Sequence, residues 1–208
     1  MYNKEAYNQW SLTYDSITNK TRDVEAKAFR DLLSNTRYQS VIELGCGTGK
    51  NTDWLSQIAD EVLAVDFSKE MMAVARNKMA RSNVKFTLAD ITKPWPFANI
   101  KADLITSSLV LEHVEDLNFI FQQASLHLTT GGVLYVGELH PFKQYEGSKA
   151  RFATDSGVFT LECFTHHISD YTNAAARNNL SCLSLREWFD EDGGTIPRIV
   201  AFLFQKNG

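Results

Sequence analysis

The chain has 208 residues, 44% hydrophobic and 22% charged, with only 4 prolines. That is enough for one globular domain with a sizeable core and scarcely for two, and it is not the make-up of a disordered segment. Lys and Arg number 21 against 25 Asp and Glu, a formal net charge of -4 without a visible basic stripe, which argues against nucleic acid as a partner.

Val24 to Leu33 reads as an N-terminal helix, and residues 1–40 as a cap segment on a single domain spanning 1–208. Val41 to Leu44 is a first strand, followed by a glycine loop and a helix around Asn51 to Ile58. Glu61 to Val65 is a second strand ending at Asp66. Lys69 to Met79 is a helix with Ser68 as its N-cap. Val84 to Leu88 is a third strand ending at Asp90, after which Pro94, Trp95 and Pro96 break regularity. Ala102 to Thr106 is a fourth strand, Leu117 to Leu128 a helix stopped by Gly131 and Gly132, and Val133 to Val136 a fifth strand. His140 to His166 has weak periodicity and is read as a substrate-side insertion, rich in Phe142, Tyr145, Phe152, Phe159 and Phe164. Ser169 to Asn178 is a late helix and Leu180 to Trp188 a sixth strand. A turn at Asp192, Gly193 and Gly194 precedes a last strand, Arg198 to Phe204. Short apolar runs alternating with amphipathic stretches are the rhythm of βαβ units in a mostly parallel sheet.

Cys46, Cys163 and Cys182 are scattered and lack metal-ligand spacing, so reduced thiols and no metal are expected. Met1 to Asp15 lacks the pattern of a signal peptide and no apolar run approaches membrane-spanning length. A soluble, cytoplasmic protein without a membrane span is therefore expected.

The loop Glu43-Leu44-Gly45-Cys46-Gly47-Thr48-Gly49 joins a strand to a helix, and its glycines let the backbone turn sharply and a ligand lie against main chain. The dinucleotide fingerprint needs a third glycine where Lys50 stands, and no Gly-Lys-Ser/Thr closes the loop, so phosphate is not its expected ligand. Asp66 lies where Rossmann-like folds place an acid on ribose hydroxyls. Asp90 can accept from an adenine amino group, and Glu43 adds negative charge near a cationic ligand. Any one of these acids is as readily a solvated strand end. Three of them around a glycine loop, at the carboxyl ends of consecutive strands, are a site.

These residues resemble motif I and the cofactor-binding acids of class I S-adenosylmethionine-dependent methyltransferases. Asp103-Leu104-Ile105-Thr106-Ser107-Ser108-Leu109-Val110-Leu111-Glu112-His113-Val114 resembles the strand-four region of their small-molecule (type 11) group, which includes quinone- and biotin-pathway enzymes. Gly131-Gly132-Val133-Leu134 resembles the turn into their fifth strand. The resemblance implies a Rossmann-like α/β fold: a seven-stranded, mostly parallel sheet, helices on both faces, the last strand antiparallel. It implies S-adenosylmethionine as cofactor, bound by Glu43, Gly45, Cys46, Gly47 and Gly49, by Asp66, Phe67 and Met71, and by Asp90 and Ile91. Tyr14, Ser108 and Leu109 complete the implied set.

Methyl transfer from a sulfonium to oxygen, nitrogen or carbon of a small acceptor needs a general base only if the nucleophile still carries its proton. His113 and His140 are the candidate bases, Glu138 a candidate to orient His140, and His166 and His167 lie nearby; each histidine is also readily a loop residue bonded to backbone. Tyr7, Trp10, Phe142, Tyr145 and His166 are candidate substrate contacts, with Tyr7, Trp10 and Tyr14 equally able to form the apolar face of a packed helix. The insertion and the segment Tyr7 to Asp15 are expected to close over the site as lids; the alternative is that Gly157 to Cys163 adds a strand. Two other readings stay open. One is a nucleobase or tRNA methyltransferase, although Thr106-Ser107-Ser108-Leu109 departs from the Asn/Asp-Pro-Pro-aromatic motif; the other is a cofactor-binding module without catalysis. A homodimer is compatible with the sequence.

Overall fold

The computed structural model describes residues 2–79, 81–154, 157–191 and 193–208, with the side chains of residue 2 and residues 152–159 left aside. In chain order the elements are α1 (Tyr2–Trp10), α2 (Lys20–Leu33), β1 (Tyr38–Leu44), α3 (Lys50–Ile58), β2 (Ala59–Asp66), α4 (Lys69–Lys78), β3 (Val84–Leu88) and β4 (Ala102–Ser108). A 3-10 turn (Leu111–His113) follows. Then come α5 (Leu117–His127), β5 (Leu128–Leu139), α6 (Pro141–Tyr145), β6 (Arg151–Thr154), β7 (Gly157–Thr160), α7 (Ile168–Arg177), β8 (Leu180–Trp188) and β9 (Ile199–Lys206).

Seven strands form one sheet in the order β3-β2-β1-β4-β5-β9-β8. β1 to β5 run parallel, and β9 is antiparallel to both β5 and β8. Alternating side chains serve two cores, as a pleated strand requires. Ile105, Leu134 and Val136 pack with Phe121 of α5 and Tyr171 of α7, while Leu104 and Tyr135 pack with Phe29 of α2 and Leu55 of α3 on the other face. Strand order reverses between β1 and β4, so a crevice opens there beyond the carboxyl ends of the strands.

Local signals explain most boundaries. Ser68 caps α4 by accepting the Met71 N–H at 3.1 Å, Asn19 caps α2 through the Arg22 N–H, and Asp116 caps α5 through the Phe119 N–H. Gly131 and Gly132 are not a helix stop. α5 ends at His127, and β5 starts at once, pairing Leu128 with Ala102 before its register shifts. A Cβ at Gly132 would lie 2.9 Å from the Thr129 carbonyl oxygen, so glycine serves the irregularity within the strand.

The insertion folds as α6 followed by an antiparallel hairpin of β6 and β7. Gly157–Thr160 is thus a strand, but it pairs in a sheet of two and does not join the main sheet. The Phe152 and Phe159 side chains, and Asp192 of the expected turn, lie outside the described residues. After the hairpin, Leu161 packs into a small cluster with Ala6 and Trp10 of α1 and Met71 of α4. Asn3 binds the backbone of Glu162 in both directions, each bond 3.0 Å, so α1 and the insertion form one joint layer.

Candidate functional site

The crevice at the strand reversal divides into three connected clefts. In the loop after β1, Gly45, Gly47 and Gly49 all have φ in the left-handed region, at 69°, 53° and 85°. At Gly45 a Cβ would stand 2.3 Å from the Val110 side chain, whereas at Gly47 it would meet nothing within 4 Å. Gly45 is therefore required by close packing of β1 on the segment after β4, and Gly47 by backbone conformation beside open space. Gly49 lines none of the three clefts; it starts α3 and lies against Ala75 and Met79.

Asp66, at the end of β2, is buried and accepts the Gly47 N–H and the Ser68 N–H, each at 2.8 Å. Burial pushes its pKa up from the ordinary value, and these N–H groups pull it back. The carboxylate thus ties the glycine loop to the turn into α4 and keeps lone pairs toward the first cleft. Asp90 lies beyond the end of β3, in a turn where it accepts from the Thr92 N–H and hydroxyl at 2.9 and 2.6 Å. The first cleft, with about 750 Å³ of unfilled space, is lined by Gly45, Gly47, Asp66, Phe67, Met71, Asp90, Ile91, Ser108 and Leu109, with Tyr7, Tyr14 and His113 at its sides. Among the described residues that line it there is no Lys or Arg.

The third cleft lies beyond the glycines, between Tyr14, Glu25, Glu43, Cys46, Asn51 and Ser108. Glu43 is buried and accepts the Thr52 hydroxyl at 2.5 Å; burial pushes its pKa up to about 8. It therefore leans to the neutral form near pH 7, which corrects the expectation of a standing negative charge. Glu25, similarly buried and bonded to the Tyr135 hydroxyl at 3.0 Å, is pushed up to about 7.

The second cleft, with about 1300 Å³ of unfilled space, runs from Tyr7, Trp10 and Tyr14 past Leu109 and Glu112 to residues 146–151 and Arg198. Tyr14 and Leu109 line all three clefts. Leu109 has φ 55°, a left-handed conformation disfavoured for leucine, held by its N–H bond to the Gly137 carbonyl at 2.8 Å. Strain of this kind is maintained where the surrounding structure over-determines it, and here it sits at the junction of the clefts.

The histidines are placed differently from expectation. His140 is buried, lines none of the three clefts, caps α6 by accepting the Phe142 N–H at Nδ1 and meets Glu187 Oε1 from Nε2 at 2.9 Å, so both nitrogens are in use. Glu138 does not orient it: its carboxylate accepts the N–H groups of Val110 and Leu111 at 3.1 and 2.8 Å and so holds the turn after β4. His166 is buried against the Val114 carbonyl at 2.7 Å. Phe142 and Tyr145 are more than half exposed and lie outside the clefts, and Tyr145 bonds His167. His113 does border the first cleft. Its Nδ1 faces the Glu162 carbonyl at 2.8 Å, which can only accept, so Nε2 is left to accept the Tyr7 hydroxyl at 2.8 Å. Arg22, Glu25, Asn51 and Glu112 also border clefts although nothing in the sequence marks them; Glu112 lies inside the strand-four run but has no distinguishing neighbour spacing.

The fold and crevice define a class I methyltransferase architecture, and residues 42–136 match the family model of the methyltransferase domain. The chain is 30% identical over 140 residues to malonyl-[acyl-carrier protein] O-methyltransferase of Bacillus anthracis, covering 63% of this chain and 50% of the relative. It is 28% identical over 174 residues to trans-aconitate 2-methyltransferase of Delftia acidovorans, covering 82% and 60%. The chain thus spans about half the length of several curated relatives it matches. N-methyltransferase NodS from Bradyrhizobium japonicum WM9, in complex with S-adenosyl-L-homocysteine, superposes with a TM-score of 0.73 at 15% identity over 99% of this chain and 98% of that one, a likeness of fold. Among the described residues no helix is long and apolar enough to cross a membrane.

Proposed function

We propose that the chain, as one domain, transfers a methyl group from S-adenosylmethionine to an oxygen, nitrogen or carbon of a small-molecule acceptor, in the cytoplasm and without engaging nucleic acid, alone or as a homodimer. The observation that carries this reading is the junction at which Tyr14 and Leu109 line all three clefts. The first cleft, with two acids and no basic lining residue, suits a ribose diol and an adenine amino group rather than a pyrophosphate. The third cleft suits the amino-acid end of the same cofactor, which leaves the sulfur at the junction and the second cleft for the acceptor.

The residues at hand fit that group. Gly47 leaves main chain bare toward the crevice, and Asp66 has acceptor capacity beyond its two backbone partners. When bound, S-adenosylmethionine supplies a methyl group already activated on a sulfonium. The chain's own part is to align the acceptor at the junction and to exclude water. Tyr14 is half-buried and held edge-on to Trp10 at 4.8 Å between centroids, and its ring already carries the Arg22 guanidinium 4.2 Å from its centroid. Tyr7 is fixed by His113, which therefore positions a tyrosine. Glu43 regains its charge when a cation settles nearby, since an opposite charge lowers a carboxyl pKa.

Calorimetry with S-adenosylhomocysteine and with NAD tests the cofactor, and a screen of labelled S-adenosylmethionine against metabolite extracts, with mass detection of product, tests the transfer. Binding of S-adenosylhomocysteine but not NAD is expected. Tight NAD binding with no response to S-adenosylhomocysteine overturns the reading.

A further inference from the structure

Charge is sorted among the three clefts. The chain as a whole is acidic, with 25 Asp and Glu against 21 Lys and Arg. The second cleft reverses that balance: Arg22, Lys149, Arg151 and Arg198 line it, against Glu112 and Glu146. These cations come from the first turn of α2, the segment between α6 and β6, the first residue of β6 and the approach to β9, so the fold gathers them from distant parts of the chain.

Their partners decide which of them remain available. Arg198 is paired with Asp190 through two contacts, one of them 2.6 Å, and also reaches the Thr21 hydroxyl at 3.2 Å. Glu146 is exposed and is paired with Lys143 at 3.7 Å. Arg22 is fixed by the carbonyls of Tyr14 and Ile17 at 2.7 and 2.6 Å and lies 4.2 Å from the Tyr14 ring centroid; none of these contacts neutralises its charge. Lys149 and Arg151 are exposed and have no ion-pair partner among the described residues. Glu112 forms the buried side of the cleft, and its Oε2 has no hydrogen-bond partner among the described residues. The cleft therefore offers cations at its mouth, while the Glu112 carboxyl is enclosed behind its wall. An excess of unpaired cations at the mouth of a cleft raises the local concentration of anionic ligands.

We propose that the second cleft takes a small organic anion, of the carboxylate or phosphate class, as the methyl acceptor, with Lys149 and Arg151 meeting the anionic group; Arg22, which lines the third cleft as well, stands between the two. This rests on the reading of the first and third clefts as the cofactor site. It goes beyond that reading in naming the acceptor's charge.

The test uses the whole chain saturated with S-adenosylhomocysteine and titrated calorimetrically with malonate, with inorganic phosphate, and with dimethyl malonate as the neutral counterpart. At least one anion is expected to bind with the diester at least tenfold weaker; malonate alone or phosphate alone assigns the carboxylate or the phosphoryl class. The double variant Lys149→Glu, Arg151→Glu is expected to lose that anion at least tenfold while its affinity for S-adenosylhomocysteine stays within twofold. Failure of both anions on the loaded protein, equal binding of the diester, or an unchanged anion affinity in the double variant overturns the proposal. Failure of S-adenosylhomocysteine itself to bind is a separate result, and overturns the cofactor reading first.

Discussion

Asp66 is where the cofactor reading is most exposed to experiment, because its carboxylate already has two protein partners before any ligand arrives. Its bonds to the Gly47 and Ser68 N–H groups are both 2.8 Å and buried or partly buried. Hydrogen bonds to a charged group contribute about 1.5–3 kcal/mol each, so Asp66→Ala removes roughly 3–6 kcal/mol of local anchoring before relaxation. A ribose diol held by the same carboxylate adds a further loss of about 1.5–3 kcal/mol in cofactor affinity, roughly 10- to 150-fold. The two losses mix in the alanine variant, since a loosened glycine loop also binds poorly.

Asp66→Asn separates them. The amide keeps one acceptor oxygen for one backbone N–H and sets an NH2 group against the other, so the loop is weakened by about 1–3 kcal/mol for one unsatisfied donor. The diol loses its charged acceptor altogether. Titration calorimetry with S-adenosylhomocysteine, run beside thermal unfolding of the same samples, reads both effects. The expected result is an affinity loss of at least tenfold in Asp66→Asn with a melting temperature above that of Asp66→Ala. A folded Asp66→Ala protein with wild-type affinity, or an Asp66→Asn protein that loses stability and no affinity, leaves the acid as a loop anchor only and refutes its place in the cofactor site.

The two loop glycines should respond differently. Gly45→Ala combines left-handed strain of about 1–2 kcal/mol with overpacking against Val110 of about 1–3 kcal/mol, while Gly47→Ala carries the strain alone and mainly weakens S-adenosylhomocysteine binding; urea unfolding with calorimetry distinguishes them. Stability should fall as pH rises from about 4.5 to about 8 and level off above that. Buried Glu25, Glu43 and Glu138 have folded pKa values pushed up to about 7, 8 and 8, so their contribution is complete below the unfolded value near 4.5 and is lost through that range. Glu138→Gln, which keeps an acceptor for the Val110 and Leu111 N–H groups, should flatten the slope of melting temperature against pH, and an unchanged slope counts against the assignment. His140→Asn should lower the melting temperature and leave the pH profile of turnover unchanged once an acceptor is in hand; a displaced profile restores His140 as a base.

The parts of this molecule that could be read from the chain are those whose reasons are local. An apolar run such as Val41 to Leu44 is a strand because its neighbours in sequence are bounded by a loop of glycines, and Ser68 caps α4 through an N–H three residues on. Asp66 and Asp90 stand out because they follow such runs. Residues whose work is done by distant partners carry no such mark. Gly131 and Gly132 look like the end of a helix, yet the constraint on Gly132 includes the Ala102 carbonyl of another strand. Glu138 stands next but one to His140, and it is instead spent on the backbone of residues 110 and 111, brought alongside by the pairing of β4 with β5.

The same physics separates the histidines. A histidine at a strand end reads identically whether its nitrogens are free or bonded, and His140 and His166 are bonded to Glu187 and Val114, 47 and 52 positions away. Only the fold reveals that, and only the fold brings Arg22 to the same cleft as Lys149 and Arg151. The cofactor side of the crevice is built from consecutive strand ends, so its chemistry is written in short motifs. The second cleft, proposed above for the acceptor, is assembled from α1, α2, the insertion and the approach to β9, so its chemistry is written in tertiary contacts. On that proposal, a protein of this architecture changes its acceptor by substitutions scattered between residues 7 and 198 while the run from Val41 to Asp90 stays as it is. That is the physical reason the methyl donor is legible in the chain long before the acceptor.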